Sequence, residues 1–431
     1  MAFSDNSSQS ISKIALERSR KFHAIKLKAV CNRIMALKEG SFFERSEENF
    51  LTYISKCPAE TLVSFGSDFF WASAHRLYNA FDAADKKVVE IFYSFFLQNA
   101  FDSFFKILPA GSYLRCANFG DDTVILIVLD VCLYCSGNDD PKITITKKSN
   151  SQLHYRVEDV PNPKGLVINL NTPGYYRIAQ GTLENKTKLL YQRYQNLFDN
   201  SYHYECSEDR YLGGLFCQHL SEALKIVALA DKSIYDKLSA GIDYVIPMGN
   251  HSGINHPSFS SALLKRTIFL SLDLLNANVF EVAENMIHEF AHCELHIIQD
   301  TIKLTKGQNK NRLYYSPWRT DPRPLLGLFH GIYVFHQVAL FYWNCLQTSN
   351  QLIDDATFIK SRLVIITHQL GIALNQISQN ELTTFAAMIL EKISVDISDI
   401  FSSFHTIDAV VPSLVIIHQE TWQNKRDGVV N

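Results

Sequence analysis

The strongest constraint on the fold is one long apolar segment in the second half of the chain. Residues 279–299 read VFEVAENMIHEFAHCELHIIQ, with apolar side chains recurring at every third or fourth position. This period gathers the apolar residues on one face of an α-helix, and a strand of that length would be unusual. The segment therefore predicts a long helix with a buried apolar face.

Helical periodicity also marks much of the remaining sequence. The pattern favours helices over residues 51–63, 70–105, 213–238, 325–346, 356–377 and 381–404. The stretch at 70–105 is rich in phenylalanine, which is more typical of a core helix than of a ligand site.

A β region separates the two helical parts. Residues 123–133 form a continuous apolar run, SGNDDP supplies turn residues, and residues 142–147 alternate as KITITK. This order predicts a β-hairpin. Further strands are expected at 153–157, 166–170, 244–248 and 266–272. The predicted fold class is α+β, predominantly helical, with a small β region and a helical N-terminal half.

The chain is long enough for two or three domains, and its 47% apolar content is sufficient for a large core. We expect three regions along the sequence. They are a helical N-terminal region at 1–110, a mixed β/α region at 111–240, and a mostly helical region at 241–431 that carries the metal-binding motif described below.

Composition and charge exclude several classes of partner. A formal net charge of −3 argues against a nucleic-acid partner, because such binders are usually strongly basic. No run of 18 or more apolar residues is present to span a membrane, and the start, MAFSDNSSQSISKIAL, lacks the apolar core of a signal peptide. The nine cysteines are scattered and odd in number, unlike a disulfide framework. These features predict a cytoplasmic protein without a membrane partner.

The segment at 279–299 contains an HExxH motif, formed by His288, Glu289 and His292. On a helix, positions i and i+4 share one face about 6 Å apart along the axis, so both imidazoles can ligate one metal ion. Glu289 would lie beside that ion and could orient a water molecule or take its proton. The alternative is a pair of core histidines with a solvated Glu289.

A third metal ligand has to come from elsewhere in the chain. His288 and His296 are separated by about 12 Å along a straight helix, so His296 cannot join both motif histidines on one ion. The extended zincin pattern would need histidine at position 298, which is Ile298. Both His330 and His336 fall on the next predicted helix, which can lie antiparallel to the first.

A proline-rich loop precedes His330. Residues 314–324 read YYSPWRTDPRP and deliver two guanidinium groups, Arg319 and Arg323. Arginine suits the bidentate capture of a carboxylate, so a stiff loop with two arginines near a metal fits an anionic cosubstrate. In the competing interpretation, these arginines pair with Asp321 or a neighbouring carboxylate and fasten the loop to the body of the protein.

The strings HEFAHCELHIIQD and YYSPWRTDPRPLLGLFHGIYVF, with the aromatic run that ends at Trp343, resemble the HExxH-type peptide-modification family. The resemblance is clearest over about residues 243–345, and the PWRxDPRPLxGLxHGxY string is far more specific than HExxH alone. The segment NHSGINHPSFSS departs from the pattern by adding His251 and His256 ahead of the helix.

The resemblance implies an iron(II)- and 2-oxoglutarate-dependent β-hydroxylase that acts on side chains of a ribosomally synthesised precursor peptide. It also implies a zincin-like helix pair. In this sequence, His288 and His292 would be metal ligands with Glu289 at the metal, and His330 would be the third ligand. Arg319 or Arg323 would hold the 2-oxoglutarate carboxylate.

Two further functions fit the same motif. A zinc metallopeptidase would use both motif histidines, a third ligand, and Glu289 as the general base for a zinc-bound water, but it does not need the arginine loop. A non-catalytic binding protein would keep only a structural metal site. The resemblance and the arginine loop favour the hydroxylase.

Overall fold

The computed structural model divides the described chain into two compact units. The structure describes residues 17–19, 21–22, 24–30, 32, 49–58, 61–62, 68–83, 86–116, 123–126, 131–134, 143–150, 152–157, 166–169, 210–242, 244–248, 258–307, 312–348, 355–404 and 413–426. One unit contains the described residues between 17 and 169, and the other contains those of 211–247 and 258–426. Together they are mostly helical with small antiparallel sheets, which confirms the predominantly helical α+β class. The three-part division along the sequence remains a prediction.

The N-terminal unit is built on a phenylalanine core. Its labelled helices are α1 (Asn49–Lys56), α2 (Asp68–Ala83) and α3 (Lys86–Phe104). The ring of Phe70 on α2 lies 5.8 Å from that of Phe96 and 4.9 Å from that of Phe104, both on α3. All three side chains are fully buried, so the phenylalanine-rich stretch forms core, as its composition predicts.

Six short strands follow these helices. They are β1 (Tyr113–Cys116), β2 (Thr123–Leu126), β3 (Val131–Tyr134), β4 (Ile143–Ser149), β5 (Gln152–Val157) and β6 (Leu166–Asn169). A four-stranded antiparallel sheet has the order β1-β4-β5-β6, and β2 pairs with β3. Leu114, Ile145 and Leu153 are fully buried and join the phenylalanine core.

The predicted hairpin between 123–133 and 142–147 is wrong. The apolar run is two strands, β2 and β3, that pair with each other, whereas β4 pairs with β1 and β5. A continuous apolar run has no period that marks where one strand ends and the next begins, so the sequence pattern did not separate β2 from β3. The alternation in KITITK correctly predicted a strand with one buried face, because Ile145 on β4 is fully buried.

Lys147 on β4 closes the C-terminal end of α3. The residue is 3% exposed, and its ammonium group donates to the carbonyl oxygens of Phe105 at 2.6 Å, Leu108 at 2.5 Å and Lys106 at 3.2 Å. Carbonyls after a helix lack intrahelical donors, and a cation there also interacts favourably with the helix dipole. This side chain therefore joins the sheet to the helical core.

Lys147→Met should lower the free energy of unfolding of the N-terminal unit by about 2–4 kcal/mol, because three carbonyls lose a charged donor at a buried position. Urea denaturation followed by circular dichroism measures the change. Lys148→Met is the matched control, since the Lys148 side chain is exposed. Equal stability of the two variants would show that water replaces the ammonium group at no cost.

The C-terminal unit begins with two helices where the sequence pattern predicted one. α4 (Arg210–Ala230) and α5 (Lys232–Gly241) are separated at Asp231, which has extended backbone with φ −154°. The Asp231 carboxylate accepts hydrogen bonds from the backbone N–H groups of Ser233 at 2.7 Å and Ile234 at 3.2 Å. A side-chain N-cap of this kind starts a new helix, and aspartate is among the residues that favour it.

A small sheet carries the long helix predicted from the HExxH segment. Strands β7 (Tyr244–Met248), β8 (Phe259–Ser261) and β9 (Leu264–Ser271) form it in the order β7-β9-β8. Helix α6 (Val279–Gln299) packs on β9 and β8. Residues 268–271 of β9 are all buried, so both faces of the strand are covered there. Helix α6 packs on β9.

The remaining elements complete a helical bundle beside α6. They are β10 (Leu313–Tyr314), β11 (Arg323–Pro324), α7 (Leu325–Gln347), α8 (Ala356–Leu374), α9 (Thr384–Phe404) and α10 (Ser413–Arg426). α7 packs against α6, α8 and α9. The predicted helices at 325–346, 356–377 and 381–404 are confirmed, with ends that differ by at most three residues.

By length and composition α7 would also be able to cross a membrane. More than half of its most apolar window is buried inside the unit, and core helices of soluble proteins pass the same test. In this structure α7 packs against α6, α8 and α9.

Candidate metal centre

Helix α6 is held rigidly at both ends, which fixes the HExxH side chains. Asn278 caps its first turn by accepting from the backbone of Phe280, and Glu281 bonds back to the backbone N–H of Asn278. This reciprocal capping box satisfies two donors that a helix N-terminus leaves unpaired. At the other end the C-cap residue, Asp300, pairs with Lys265 on β9.

The HExxH histidines and His330 lie together between α6 and α7. The ring centroids of His288 and His292 are 5.1 Å apart, and those of His292 and His330 are 5.5 Å apart. The Nδ1 atoms of His292 and His330 are separated by 3.3 Å. The two helices thus bring together histidines that are 38 residues apart in sequence.

The separation of 3.3 Å matches that of two ligands on one ion. Two nitrogens bound to a tetrahedral metal at about 2.0–2.1 Å lie about 3.3–3.4 Å from each other. A hydrogen bond from an N–H group is usually shorter, about 2.9–3.0 Å. The separation of these two nitrogens is therefore compatible with a shared metal ion and with a long N–H···N hydrogen bond.

His296 belongs to the same cluster. Its ring centroid lies 5.4 Å from that of His330 and 6.4 Å from that of His292. The prediction set His296 aside because of its distance from His288, and that distance does not separate it from the other two histidines. A metal held by His292 and His330 thus has two candidates for a third imidazole, His288 and His296.

The other histidines considered from the sequence lie elsewhere. His336 on α7 bonds through Nε2 to the Asp396 carboxylate on α9 at 2.9 Å and through Nδ1 to the Gln337 side chain at 3.1 Å. Both of its ring nitrogens are thus engaged away from the HExxH helix. His251 and His256 lie outside the described residues.

Burial keeps the four clustered imidazoles neutral. It lowers the pKa of His288 to about 4, against the opposing influence of Glu284, and the pKa values of His296 and His330 also to about 4. Burial and the neighbouring imidazoles lower the pKa of His292 to about 2. Neutral imidazole is the form that binds metal ions, so protons do not compete for these nitrogens at neutral pH.

The described side chains do not form a complete metal site. Among the residues that the structure describes, no three His, Cys, Asp or Glu side chains already converge on one point as metal ligands do. The Nδ1 atoms of His292 and His330 have the spacing of two ligands, and the rings of His288 and His296 lie 5.1 Å from His292 and 5.4 Å from His330 respectively. Three imidazoles suit zinc, iron and several other first-row metals.

Glu289 points toward the sheet. The side chain is 5% exposed, and its carboxylate accepts a hydrogen bond from Ser260 on β8. Burial raises the pKa of Glu289 to about 7, although the hydrogen bond from Ser260 opposes this shift. A carboxyl group of that kind can either accept or donate a proton near neutral pH.

The arginine loop is fastened to the helical bundle by residues other than its arginines. The Tyr314 hydroxyl donates to the Glu381 carboxylate at 2.8 Å, and the Gln369 side chain donates to the Pro317 carbonyl at 3.1 Å. Trp318 stacks on Phe335 with ring centroids 4.7 Å apart and an interplanar angle of 8°.

Glycine is required where the loop meets α7. A Cβ atom at Gly331 would lie 2.9 Å from two carbons of the Trp318 ring, which is closer than carbon atoms pack. Phe335, which supports the indole, also meets the His288 ring edge-on at 5.0 Å. The loop is therefore connected to the histidine cluster through two stacked aromatic rings.

Both loop arginines share one partner in this structure. Arg319 Nε lies 3.0 Å from Asp321 Oδ1, and Arg323 Nε lies 3.0 Å from Asp321 Oδ2. The arrangement is the pairing with Asp321 that the sequence offered as the alternative to a cosubstrate site. Asp321 and Arg319 are both more than half exposed, so the pairing is a surface one.

Sequence reasoning missed three residues that surround the cluster: Gln299, Ser260 and Phe335. Gln299 follows His292 by seven positions and therefore lies on the same face of α6. Phe335 follows His330 by five positions, and this spacing does not predict that the two side chains lie on one face of α7. Ser260 reaches Glu289 only through packing of β8 on α6, which no local pattern predicts.

Neither a protein-family model nor a curated protein matches this chain. The assignment to the HExxH-type peptide-modification family therefore rests on the motif strings and remains a prediction.

Proposed function

We propose that this protein is an iron(II)- and 2-oxoglutarate-dependent hydroxylase that modifies side chains of a ribosomally made precursor peptide in the cytoplasm. The observation that supports a metal enzyme is the approach of His330 on α7 to His292 on the HExxH helix, at 3.3 Å between nitrogens. The reaction class comes from the likeness of the YYSPWRTDPRPLLGLFHGIYVF string to the peptide-modification family. In this proposal α6 and α7 are a zincin-like helix pair.

The histidines His288, His292 and His330 would hold the iron. Three imidazoles on one side of the ion leave its remaining coordination positions open for chemistry. When bound, iron(II) supplies the oxidising chemistry of the reaction class, in which O₂ and 2-oxoglutarate give CO₂, succinate and a new C–OH group in place of C–H. One oxygen atom enters succinate and the other enters the peptide.

The apolar residues around the histidine cluster would exclude water from the site. Phe335 covers one edge of His288, Trp318 covers Phe335, and Phe290 on α6 is buried. An apolar surround strengthens electrostatic interactions at the metal and limits access of water to reactive species. Glu289 would orient a group at the site from its hydrogen bond with Ser260.

An extended peptide fits the sheet beside α6. Strand β8 is the outer strand of the order β7-β9-β8, and within the described ranges no other strand pairs with its far side. Outer strands bind extended peptides by adding a strand to the sheet, with side chains entering pockets on one face. Because Ser260 on β8 bonds to Glu289, a peptide placed there would run past the HExxH helix.

The arginine loop would bind the distal carboxylate of 2-oxoglutarate by exchanging Asp321 for the cosubstrate. Exposed ion pairs contribute about 0–1 kcal/mol, so Asp321 holds the two guanidinium groups only weakly. Arg319→Ala and Arg323→Ala should each be tested. Loss of the arginine that binds the cosubstrate should reduce the binding free energy by about 2–5 kcal/mol, which lowers the affinity for 2-oxoglutarate more than tenfold. Calorimetric titration of 2-oxoglutarate into anaerobic iron-loaded protein measures it.

Asp321→Asn is the matched control for this experiment. It frees both arginines without removing either, so 2-oxoglutarate should bind as well as in wild type or a few-fold more tightly. Wild-type affinity in both alanine variants would mean that the loop is structural and that the Asp321 pairing is its only role.

A zinc metallopeptidase is the second candidate, and the protonation behaviour of Glu289 favours it. The carboxylate is buried and its pKa is raised to about 7, which suits a general base for a metal-bound water. In addition, both loop arginines pair with Asp321 in this structure.

Mass spectrometry of a reacted precursor peptide separates the two candidates. With iron, oxygen and 2-oxoglutarate, we expect the peptide to gain about 16 Da without shortening, as insertion of one oxygen atom requires. Glu289→Gln should retain the metal and part of the turnover, about 10–100-fold below wild type, since no base is needed for amide attack.

The peptidase predicts the opposite pattern. The zinc form would shorten the peptide without 2-oxoglutarate, and Glu289→Gln would abolish that cleavage while keeping zinc. Such a result would replace the hydroxylase proposal.

A further inference from the structure

The Gln299 side chain is hydrogen-bonded to one of the four clustered imidazoles. Among the described residues, it is the only non-titratable side chain for which the structure records such a bond. Its amide oxygen Oε1 lies 2.8 Å from Nε2 of His330. Gln299 is the last residue of α6, and His330 lies in the second turn of α7. The contact thus links the C-terminal end of the HExxH helix to the histidine that the next helix supplies.

The contact favours one tautomer of His330. A neutral imidazole has one N–H, and an amide oxygen only accepts hydrogen bonds. With Oε1 facing Nε2, the proton would be on Nε2 and donated to Gln299, which leaves the lone pair on Nδ1. That lone pair faces Nδ1 of His292 at 3.3 Å, the distance that suits two ligands on one ion.

Gln299 is itself well placed to act as a fixed support. It follows His292 by two helical turns, so its side chain leaves the same face of α6. The adjacent C-cap residue, Asp300, is anchored by Lys265 on β9, which limits movement of this helix end. Histidine ligands generally donate their second ring N–H to an acceptor, which fixes the ring orientation and increases its basicity.

We infer that Gln299 is a positioning residue for the metal centre, which holds His330 in the tautomer that presents Nδ1 to the metal. The inference rests on the proposed metal site and adds a residue to it. It assigns Gln299 no contact with substrate or cosubstrate. It also distinguishes His330 from His336 on the same helix, whose two ring nitrogens are both occupied by other partners.

Two variants and one control test this role with zinc alone as the probe. Gln299→Leu keeps similar volume but removes the acceptor, and Gln299→Glu restores an acceptor oxygen. Gln347→Leu is the matched control, because Gln347 is the last residue of α7 and is exposed. Circular dichroism of each metal-free variant verifies that the helices are intact.

The first measurement is the zinc dissociation constant, by competition with a chromophoric chelator at pH 7. Gln299→Leu should weaken zinc binding by about 10–100-fold, as loss of a ligand's hydrogen-bond partner does. Gln299→Glu and Gln347→Leu should both remain within a few-fold of wild type.

The second measurement reads the tautomer directly in metal-free protein. Long-range ¹H–¹⁵N correlation spectra of histidine-labelled protein should show His330 with its proton on Nε2, the signal being assigned through its loss in His330→Gln. In Gln299→Leu this preference should weaken toward a mixture of tautomers. A change in general stability would not by itself move this signal.

The two measurements distinguish failure of the positioning role from failure of the metal site. If wild type binds zinc and Gln299→Leu matches it in affinity and tautomer, the positioning role is wrong and the metal site stands. If wild type binds neither zinc nor iron(II), the metal site fails and the positioning role fails with it.

Discussion

His292→Ala is expected to abolish stoichiometric metal binding while leaving the protein folded. His292 is the one histidine in ring contact with all three others of the cluster, and its Nδ1 lies 3.3 Å from that of His330. Any three-histidine site built from this cluster around His330 therefore includes it. Loss of a residue that only supports a ligand costs about 10–100-fold in metal affinity, so loss of this ligand should cost more.

Metal content after anaerobic reconstitution with iron(II), and separately with zinc, measures the effect. Circular dichroism confirms the fold, which should survive because the imidazole is neutral and its removal leaves no buried charge unpaired. Full metal content in His292→Ala would exclude the HExxH pair as ligands.

Two further alanine variants identify the third imidazole. His288→Ala should lose the metal and His296→Ala should keep it if the HExxH pair and His330 are the ligands. The reverse pattern would assign the site to His292, His296 and His330, which are all in ring contact with one another.

The second large effect is expected for Glu284, one turn before His288 on α6. Its carboxylate is 8% exposed and accepts two hydrogen bonds from Arg362 on α8, at 2.9 and 2.5 Å, and one from the Tyr342 hydroxyl on α7, at 2.8 Å. Glu284→Ala leaves the Arg362 guanidinium without its partner in a largely buried setting. We expect a loss of about 3–5 kcal/mol in the free energy of unfolding.

Urea denaturation of the metal-free protein measures this loss, with Glu391→Ala on the exposed face of α9 as the control. The double variant Glu284→Ala, Arg362→Met should be less destabilised than Glu284→Ala alone, because it removes the unpaired charge. A loss below about 1 kcal/mol for Glu284→Ala would show that water reaches Arg362 and screens it as at a surface.

Helices α6, α7, α8 and α9 were predictable because apolar residues recur at helical spacing over most of their length. α6 begins and ends at the residues that its pattern indicated, and Asn278 with Glu281 supplies a capping box at its start. The break at Asp231 was missed, since apolar periodicity continues across it. A single aspartate that can cap a helix does not interrupt that periodicity in the sequence. The break is evident from the extended backbone of Asp231.

Strand pairing in the N-terminal unit was not predictable in the same way. The alternation of KITITK indicated which face of β4 is buried, but a strand carries no local information about its partners. β4 pairs with β1 and β5, and the first of these lies about thirty residues earlier in the sequence. Long-range pairing of this kind depends on tertiary packing.

The candidate site shows a similar division. The i, i+4 spacing of His288 and His292 gave their common face, and two adjacent long helices indicated that His330 would come near them. The support from Gln299 depends on the crossing of α6 and α7, which no spacing encodes. The pairing of both arginines with Asp321 also depends on side-chain positions that no spacing encodes.

The contact between His292 and His330 has a consequence for chain topology. The two residues are 38 positions apart, and the intervening chain includes the whole arginine loop. A metal ion that joins them acts as a reversible cross-link, like a disulfide formed only in the folded state. In the chain-entropy treatment, closing a loop of that length removes about 4 kcal/mol of conformational freedom from the unfolded chain. At the proposed metal site, metal loading would thus be linked to ordering of the arginine loop through loop closure, and the ion would stabilise the proposed cosubstrate site before any reaction.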